Sequence, residues 1–223
     1  MYIRIENHCI MDFIDKEIEK YSLKHSQEES DVLKKLNRET HAKVIQPRML
    51  SGHLQGNLLS MLSKMIAPKQ ILEIGTYTGY SAICLAQGLQ ENGKLHTIDI
   101  NEELEKMIRS FVEDAGLSNK INYYIGDALE IIPTIKETLD IVFIDADKKN
   151  YAAYYDLVFD KVRSGGYIIA DNVLWSGKVL DEANLMDGDT KAIDMFNKKV
   201  HADNRVEHML LPVRDGLMIA RKK

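Results

Sequence analysis

The chain is poor in cysteine. Cys9 and Cys84 are the two it has in 223 residues, too few and too far apart for a disulfide scaffold, which fits a reducing cytoplasm. It has no run of 18 apolar residues, so no membrane span is expected. Its first 20 residues, MYIRIENHCIMDFIDKEIEK, carry charges throughout the apolar positions and do not read as a signal peptide. Basic charge is not in excess: 29 Lys and Arg face 34 Asp and Glu, for a net charge of −5. That leaves no general footprint for nucleic acid, and the Arg221-Lys222-Lys223 tail and the pairs at 148–149 and 198–199 read as solubilising. Internal repeats and low-complexity segments are also missing.

What is present is an α/β pattern of ordinary composition, 45% hydrophobic and 28% charged. The length suits one domain with a full core and is too short for two comfortable ones. Residues 1–66 read as helical, with segments at 11–23, 29–44 and 51–66; Ser26-Gln-Glu-Glu resembles a helix start, and Pro47 marks a break. The third segment places Leu54, Leu58, Leu62 and Met65 on one face. Three helices exceed what a minimal nucleotide-binding sheet needs, so they are expected to form a lid, a dimer surface, or both. From residue 70 strands and helices alternate: strands at 70–75, 94–100, 121–126, 139–145, 165–171, 204–211 and 214–221, helices at 79–90, 102–115, 127–136, 149–162 and 188–201. Such alternation predicts a mainly parallel seven-stranded sheet covered on both faces. The last two strands, joined through Pro212, are expected to form an antiparallel hairpin. The acidic loop 181–189 is a candidate rim above the site.

The organising stretch is QILEIGTYTGYSAICLAQ, residues 70–87. It reads as a buried strand, a glycine turn and a helix, the arrangement by which α/β proteins present backbone N–H groups to a ligand. Gly75 lets the chain turn off the strand, and Gly79 is expected to let backbone approach a ligand. Glu73 stands at the strand's carboxyl end. Asp99, twenty residues past Gly79, closes KLHTIDI, where an acidic side chain can accept from both hydroxyls of a ribose. A dinucleotide fingerprint wants a second glycine where Tyr77 stands, so close contact with a diphosphate is disfavoured. S-adenosylmethionine has no phosphate; Glu73 suits its amine and Ser81 its carboxylate.

Ligands of such sheets bind beyond the carboxyl ends of the strands. LDIVFID ends at Asp145 and GGYIIADN ends at Asp171-Asn172. Two carboxylates and an amide oxygen make a three-ligand set for Mg²⁺, with water or substrate in the other positions. No Cys or His accompanies them, which argues against zinc. Lys148, three residues past Asp145, is near enough to such a metal for its pKa to fall and could then take a proton from a hydroxyl. Two rivals stay open on the residues alone. An NAD-dependent oxidoreductase would share the fold and Asp99, with Tyr77 against it; a non-catalytic nucleotide-binding module would have no use for the Asp145, Asp171 and Asn172 set.

GTYTGYSA, DALE, FIDADKKNY, ADNVLWSGKV and LLPVRDGLMIA resemble the cation-dependent O-methyltransferases, the group of caffeoyl-CoA O-methyltransferases, their bacterial relatives and mammalian catechol O-methyltransferase. The resemblance covers about residues 45–223. It implies a Rossmann-like class I methyltransferase fold in one domain over 1–223, a helical lid or dimer region at 1–66 before a core at 70–223, and a homodimer. It implies metal ligation by Asp145, Asp171 and Asn172 (Mg²⁺, or another divalent cation such as Mn²⁺ or Ca²⁺), catalysis by Lys148 with Asp145, and an aromatic substrate wall at Trp175. It places S-adenosylmethionine against Met49, Glu73, Gly75, Tyr77, Ser81, Asp99, Asp127, Ala128 and Asp147. The expected substrate is a catechol-like or caffeoyl-type phenol. Because one bacterial branch methylates a hydroxyuridine in tRNA, RNA stays open as an alternative. The chain departs from caffeoyl-CoA enzymes at Leu54-Gln55-Gly56-Asn57-Leu58, where those show a Glu-Gly-Gln-Phe-Leu type of segment.

Overall fold

The structure, a computed structural model, describes residues 14–223. Cys9, the charged N-terminal stretch and the expected helix start at Met11 to Phe13 lie outside the described residues. The described chain opens with α1 (Lys16–Lys24), α2 (Asp31–Lys43) and α3 (Gly52–Ile66). It continues as β1 (Gln70–Ile74), α4 (Tyr80–Ala86), β2 (Lys94–Asp99), α5 (Glu105–Asp114), β3 (Ile121–Ile125), α6 (Ala128–Ile131), β4 (Leu139–Ile144), α7 (Tyr151–Phe159), β5 (Val162–Ala170), α8 (Gly188–Ala202), β6 (Val206–Leu211) and β7 (Leu217–Lys222).

The seven strands form one sheet in the order β3-β2-β1-β4-β5-β7-β6. β1 to β5 pair in parallel, and β7 runs antiparallel to both β5 and β6. The expected sheet and closing hairpin are therefore present. Successive strand residues point to opposite faces, so one short apolar run feeds two cores. Ile71, Ile141, Phe143 and Ile169 pack with Leu33, Leu36, Leu59, Tyr80, Leu85 and Phe111 under α2 to α5. Leu72, Val142, Ile144 and Ile168 pack with Tyr151, Tyr155, Phe196 and Val200 under α7 and α8. Burying each such side chain contributes about 1.5–3 kcal/mol, and this is what fixes the strand ends that carry the chemistry.

Several local expectations are corrected. Ser26 does not start a helix: it follows α1, and its hydroxyl donates to the Ser22 carbonyl. The cap of α2 is Ser30, whose hydroxyl accepts from the Leu33 amide. In α3 the buried residues are Gln55, Gly56, Leu59, Ser60 and Ser63, whereas Leu54, Leu58 and Leu62 are half-buried and Met65 is 80% exposed. Contact decides this, because a Cβ on Gly56 would stand 2.6 Å from the Tyr80 ring and one on Gly88 2.2 Å from Ser63. Small residues let α3 and the end of α4 touch, which periodicity in leucine does not report. The helix expected over 127–136 shortens to α6 with a 3-10 turn at Ile132–Thr134 around Pro133. β5 begins at Val162, earlier than expected, and its pairing with β4 is irregular between Leu139 and Ile141.

Candidate active site

The parallel strands β1 to β5 end along one edge of the sheet, and the acidic residues stand at those ends. The Asp145 amide donates to the Ile74 carbonyl and the Asp171 amide to the Ile144 carbonyl, at 2.8 and 2.9 Å. Asp145 and Asp171 are thus each one residue beyond the strands and side by side. Gly75 lies across from them with φ +99°, and a Cβ there would fall 1.9 Å from the Asp145 carbonyl oxygen. Glycine is required at 75 because the ends of β1 and β4 touch. Gly79 has another reason. A Cβ would meet only the Ile108 methyl at 3.6 Å, but φ is +89°, so the backbone conformation alone favours glycine here.

Between these glycines Tyr77 has φ +49°, and its amide donates to Asp99 Oδ2 at 2.7 Å. Asp99 Oδ1 accepts from the Asn101 amide at 2.9 Å. Asp99 therefore ties the glycine loop to β2, and only its remaining lone pairs face a ligand. Met49, Gly75, Tyr77, Ser81 and Asp145 line one small crevice together with Leu50 and Ser51. The Tyr77 hydroxyl reaches the carbonyls of Ile45 and Gln46 at 3.4 and 3.2 Å, joining the loop to the segment before α3.

Glu73 lies in β1, one residue before its end. It has no solvent exposure and sits on the α4 face of β1, behind the crevice and not on its wall. Its Oε2 accepts from the Thr97 hydroxyl at 2.5 Å. Its Oε1 is buried without a partner, the Ser81 hydroxyl approaching the carboxyl without closing a bond of good geometry. Burial drives the carboxyl up to about 8 against the opposing pull of Ser81 and Thr97. An orphaned acceptor under the glycine loop is what a cationic amine above it would relieve.

Asp127 caps α6 by accepting from the Leu129 amide at 2.8 Å, and Ala128 is buried beside it. Asp147 accepts from the Tyr154 hydroxyl at 2.5 Å and from Asn150 Nδ2 at 2.8 Å. Burial first, then Asp147 and more weakly Asp127, raises the Tyr154 phenol, so both carboxylates face one ring. Both are already engaged in their own loops.

Lys148, 9% exposed, sits at the centre of the other half. Its Nζ donates to Asn172 Oδ1 at 2.8 Å, Asp145 Oδ1 at 3.3 Å and the Tyr151 hydroxyl at 2.6 Å. The Tyr151 hydroxyl in turn donates to the Asp171 carbonyl at 3.1 Å. Asn172 takes φ +56°, a conformation asparagine tolerates, and its amide donates to Asp171 Oδ1 at 2.7 Å. Burial, followed by the charge of Asp145, lifts Asp171 to about 7 against the pull of Gln55, Lys148 and Arg214. Trp175, with φ +48°, brings its ring 5.5 Å from Lys148 Nζ.

The structure thus brings Asp145, Asn172, Lys148 and Trp175 together, with Asp171 against them. Among the described residues no three of His, Cys, Asp and Glu gather as a metal cluster. Here the third oxygen is an amide. Two carboxylates that repel each other, and an amide oxygen already turned to a cation, have the donor chemistry of a hard divalent ion. Three neighbours escaped the sequence reading. Gln55 Nε2 donates to Asp171 Oδ2 at 2.6 Å, Arg214 Nη1 donates to Gln55 Oε1 at 2.8 Å, and Tyr151 is buried against Lys148. Their only sequence signal was the departure at Gln55 and the RDG turn.

Comparison with known proteins identifies the family and the fold. The family model described as O-methyltransferase matches residues 23–223, so the likeness starts earlier than the motifs implied. Caffeoyl-CoA O-methyltransferase of Petroselinum crispum is 38% identical over 205 residues, covering 87% of this chain and 85% of that protein. Caffeoyl-CoA O-methyltransferase 1 of Arabidopsis thaliana is 37% identical over 205 residues, with 87% and 79% covered. The solved O-methyltransferase from Bacillus cereus in complex with SAH has a TM-score of 0.86 at 30% identity, over 93% of this chain and 97% of that one. TomG of Streptomyces achromogenes, an O-methyltransferase solved with SAM, reaches 0.86 at 27%, over 93% and 96%.

Proposed function

This chain belongs to the O-methyltransferase family, and from that membership we propose that it methylates one hydroxyl of a catechol-like or caffeoyl-type phenol with a divalent cation held by Asp145, Asp171 and Asn172. The methyl donor is S-adenosylmethionine, as in the solved relatives. The oxidoreductase and non-catalytic readings fall with the family. One observation carries the proposal: Asp145 lines the crevice formed by Met49, Gly75, Tyr77 and Ser81 and also touches Lys148. A donor in the crevice and an oxygen nucleophile beside Lys148 would therefore be neighbours.

In this reading the glycine loop, tied to Asp99, holds the nucleoside end of the donor, and Asp127, Ala128 and Asp147 frame it. Trp175 walls one side of the phenol ring. Lys148 Nζ, in its neutral amine form, takes the phenol proton and becomes the ammonium, and Tyr151 and Asn172 aim that nitrogen. A bound Mg²⁺, Mn²⁺ or Ca²⁺ would supply charge stabilisation, bringing the ionisation of a phenol, near pH 10 in water, down toward neutrality. Positioning does most of the remainder, a term worth roughly 7–11 kcal/mol in well-oriented reactions.

The test is transfer from labelled S-adenosylmethionine to a panel of catechols, caffeoyl-CoA and tRNA bearing hydroxyuridine, with and without chelator. Methylation of the phenols, lost in chelator and in Asp171→Ala while S-adenosylhomocysteine still binds, is the expected result. Transfer to the RNA alone would overturn the small-molecule reading. Full activity of Asp171→Ala in chelator would overturn the cation.

A further inference from the structure

We propose that Gln55 and Arg214 are positioning residues of the cation site: the guanidinium sets the Gln55 amide, and that amide fixes the Asp171 carboxylate. This rests on the reading of Asp171 as a cation ligand. Gln55 and Asp171 are 1% and 3% exposed, so water does not compete for their bonds. The Gln55 amide lies between a cation and an anion, with Nε2 on Asp171 Oδ2 at 2.6 Å and Oε1 on Arg214 Nη1 at 2.8 Å. Reversing the amide would set its oxygen against the carboxylate and its NH₂ against the guanidinium, so charge at both ends dictates its orientation. Asp171 Oδ1 is held separately by the Asn172 amide at 2.7 Å. Both carboxylate oxygens therefore have a fixed donor, and the rotamer is determined before any ion arrives.

Arg214 is itself constrained. It takes φ +50° in the β6–β7 turn, where a long side chain is uncommon, and Nη1 also donates to the carbonyls of Leu50, at 3.2 Å, and Ser51. The contact spans 159 residues of sequence. It links the start of α3 and the last hairpin to the end of β5. A hydrogen bond that merely fastened α3 to the sheet would affect stability alone. A positioning bond must also show in ion affinity, because groups that orient a ligating carboxylate typically change it by about 10- to 100-fold.

The experiment measures Mn²⁺ binding by the paramagnetic resonance of the free ion, with S-adenosylhomocysteine present. It compares wild type, Gln55→Met, Arg214→Met, Arg214→Lys and Asp145→Ala. The expected result is Mn²⁺ binding weakened roughly 10- to 100-fold in Gln55→Met and Arg214→Met and less in Arg214→Lys. Affinity for S-adenosylhomocysteine should stay within about twofold, and the metal KM should rise while kcat at saturating Mn²⁺ is retained. Unchanged Mn²⁺ affinity in the folded Met variants, with only a lower Tm, overturns the inference and leaves the cation reading standing. If Gln55→Met does not fold, the two Arg214 variants decide. Wild type that binds no Mn²⁺, or binds it equally after Asp145→Ala, overturns the cation reading and this inference with it.

Discussion

Glu73→Gln should remove a pH dependence of stability that the wild-type protein carries. The carboxyl has no exposure, and burial lifts it from 4.5 to about 8. Once unfolded it returns to its ordinary value. Between those two values the folded protein keeps a proton that the unfolded chain releases, so rising pH favours unfolding. The contribution is complete below the unfolded value and drains away as pH climbs toward 8. At about 1.36 kcal/mol per unit, moving from pH 5 to pH 7 removes at most roughly 2.5 kcal/mol. Gln keeps the shape and can still accept from Thr97, but it cannot ionise. Urea unfolding of both proteins, followed through the single tryptophan at pH 5, 6 and 7, reads the difference directly. Asp171, also raised, to about 7, titrates in both proteins and cancels. The stability of Gln relative to Glu should climb by about 2 kcal/mol over that range. A constant offset would mean that Glu73 is already ionised in the folded protein at pH 5, and the argument from burial would fail.

Lys148→Ala should lower kcat by about 10²- to 10⁴-fold, the usual cost of a lost general base, with cofactor affinity intact and partial recovery at higher pH. Full activity at pH 7 would remove Lys148 from the role. Asp99→Ala should weaken S-adenosylhomocysteine by about 1–3 kcal/mol in calorimetry, since it both releases the Tyr77 amide and removes an acceptor for ribose; Mn²⁺ binding should not change. The exposed Ile18, Tyr21, Met61 and Met65 on α1 and α3 give the homodimer expectation its surface, and light scattering at micromolar concentration should return twice the chain mass. A monomeric mass would refute it.

The sheet was legible because each parallel strand is a short apolar run that ends at glycine or aspartate, and Asp145, Asp171 and Asn172 are the end residues of two such runs. Lys148 followed from its three-residue spacing. Other features were hidden for definite reasons. The most buried face of α3 includes Gly56, Ser60 and Ser63, which serve close approach and not hydrophobicity, so the leucine stripe, packed at its margin through Leu58 and Leu62, did not reveal it. The full burial of Glu73 was hidden because sequence gives a strand position but not its depth. Asp99 looked free because its bond to the Tyr77 amide is a tertiary one. Gln55 and Arg214 meet only after the hairpin folds back, and no local pattern announces a partner 159 residues away.

β7 follows β6 in sequence but lies between β5 and β6 in the sheet. β6 hydrogen-bonds to β7 alone, so during synthesis it joins the sheet only when β7 pairs with β5. Until then β5 offers Tyr167 to Ala170 as an open edge next to a buried core, the kind of surface on which nascent chains aggregate. The same hairpin delivers Arg214 to Gln55, Asp215 to the Ser176 and Leu174 amides, and Gly216 to the Val173 amide. A chain stalled or cleaved before Leu217 would keep the glycine loop, both carboxylates and Arg214, yet it would lack the strand that carries Arg214 to Gln55. Losing the seven residues from Leu217 to Lys223 thus costs an inner strand and not a tail.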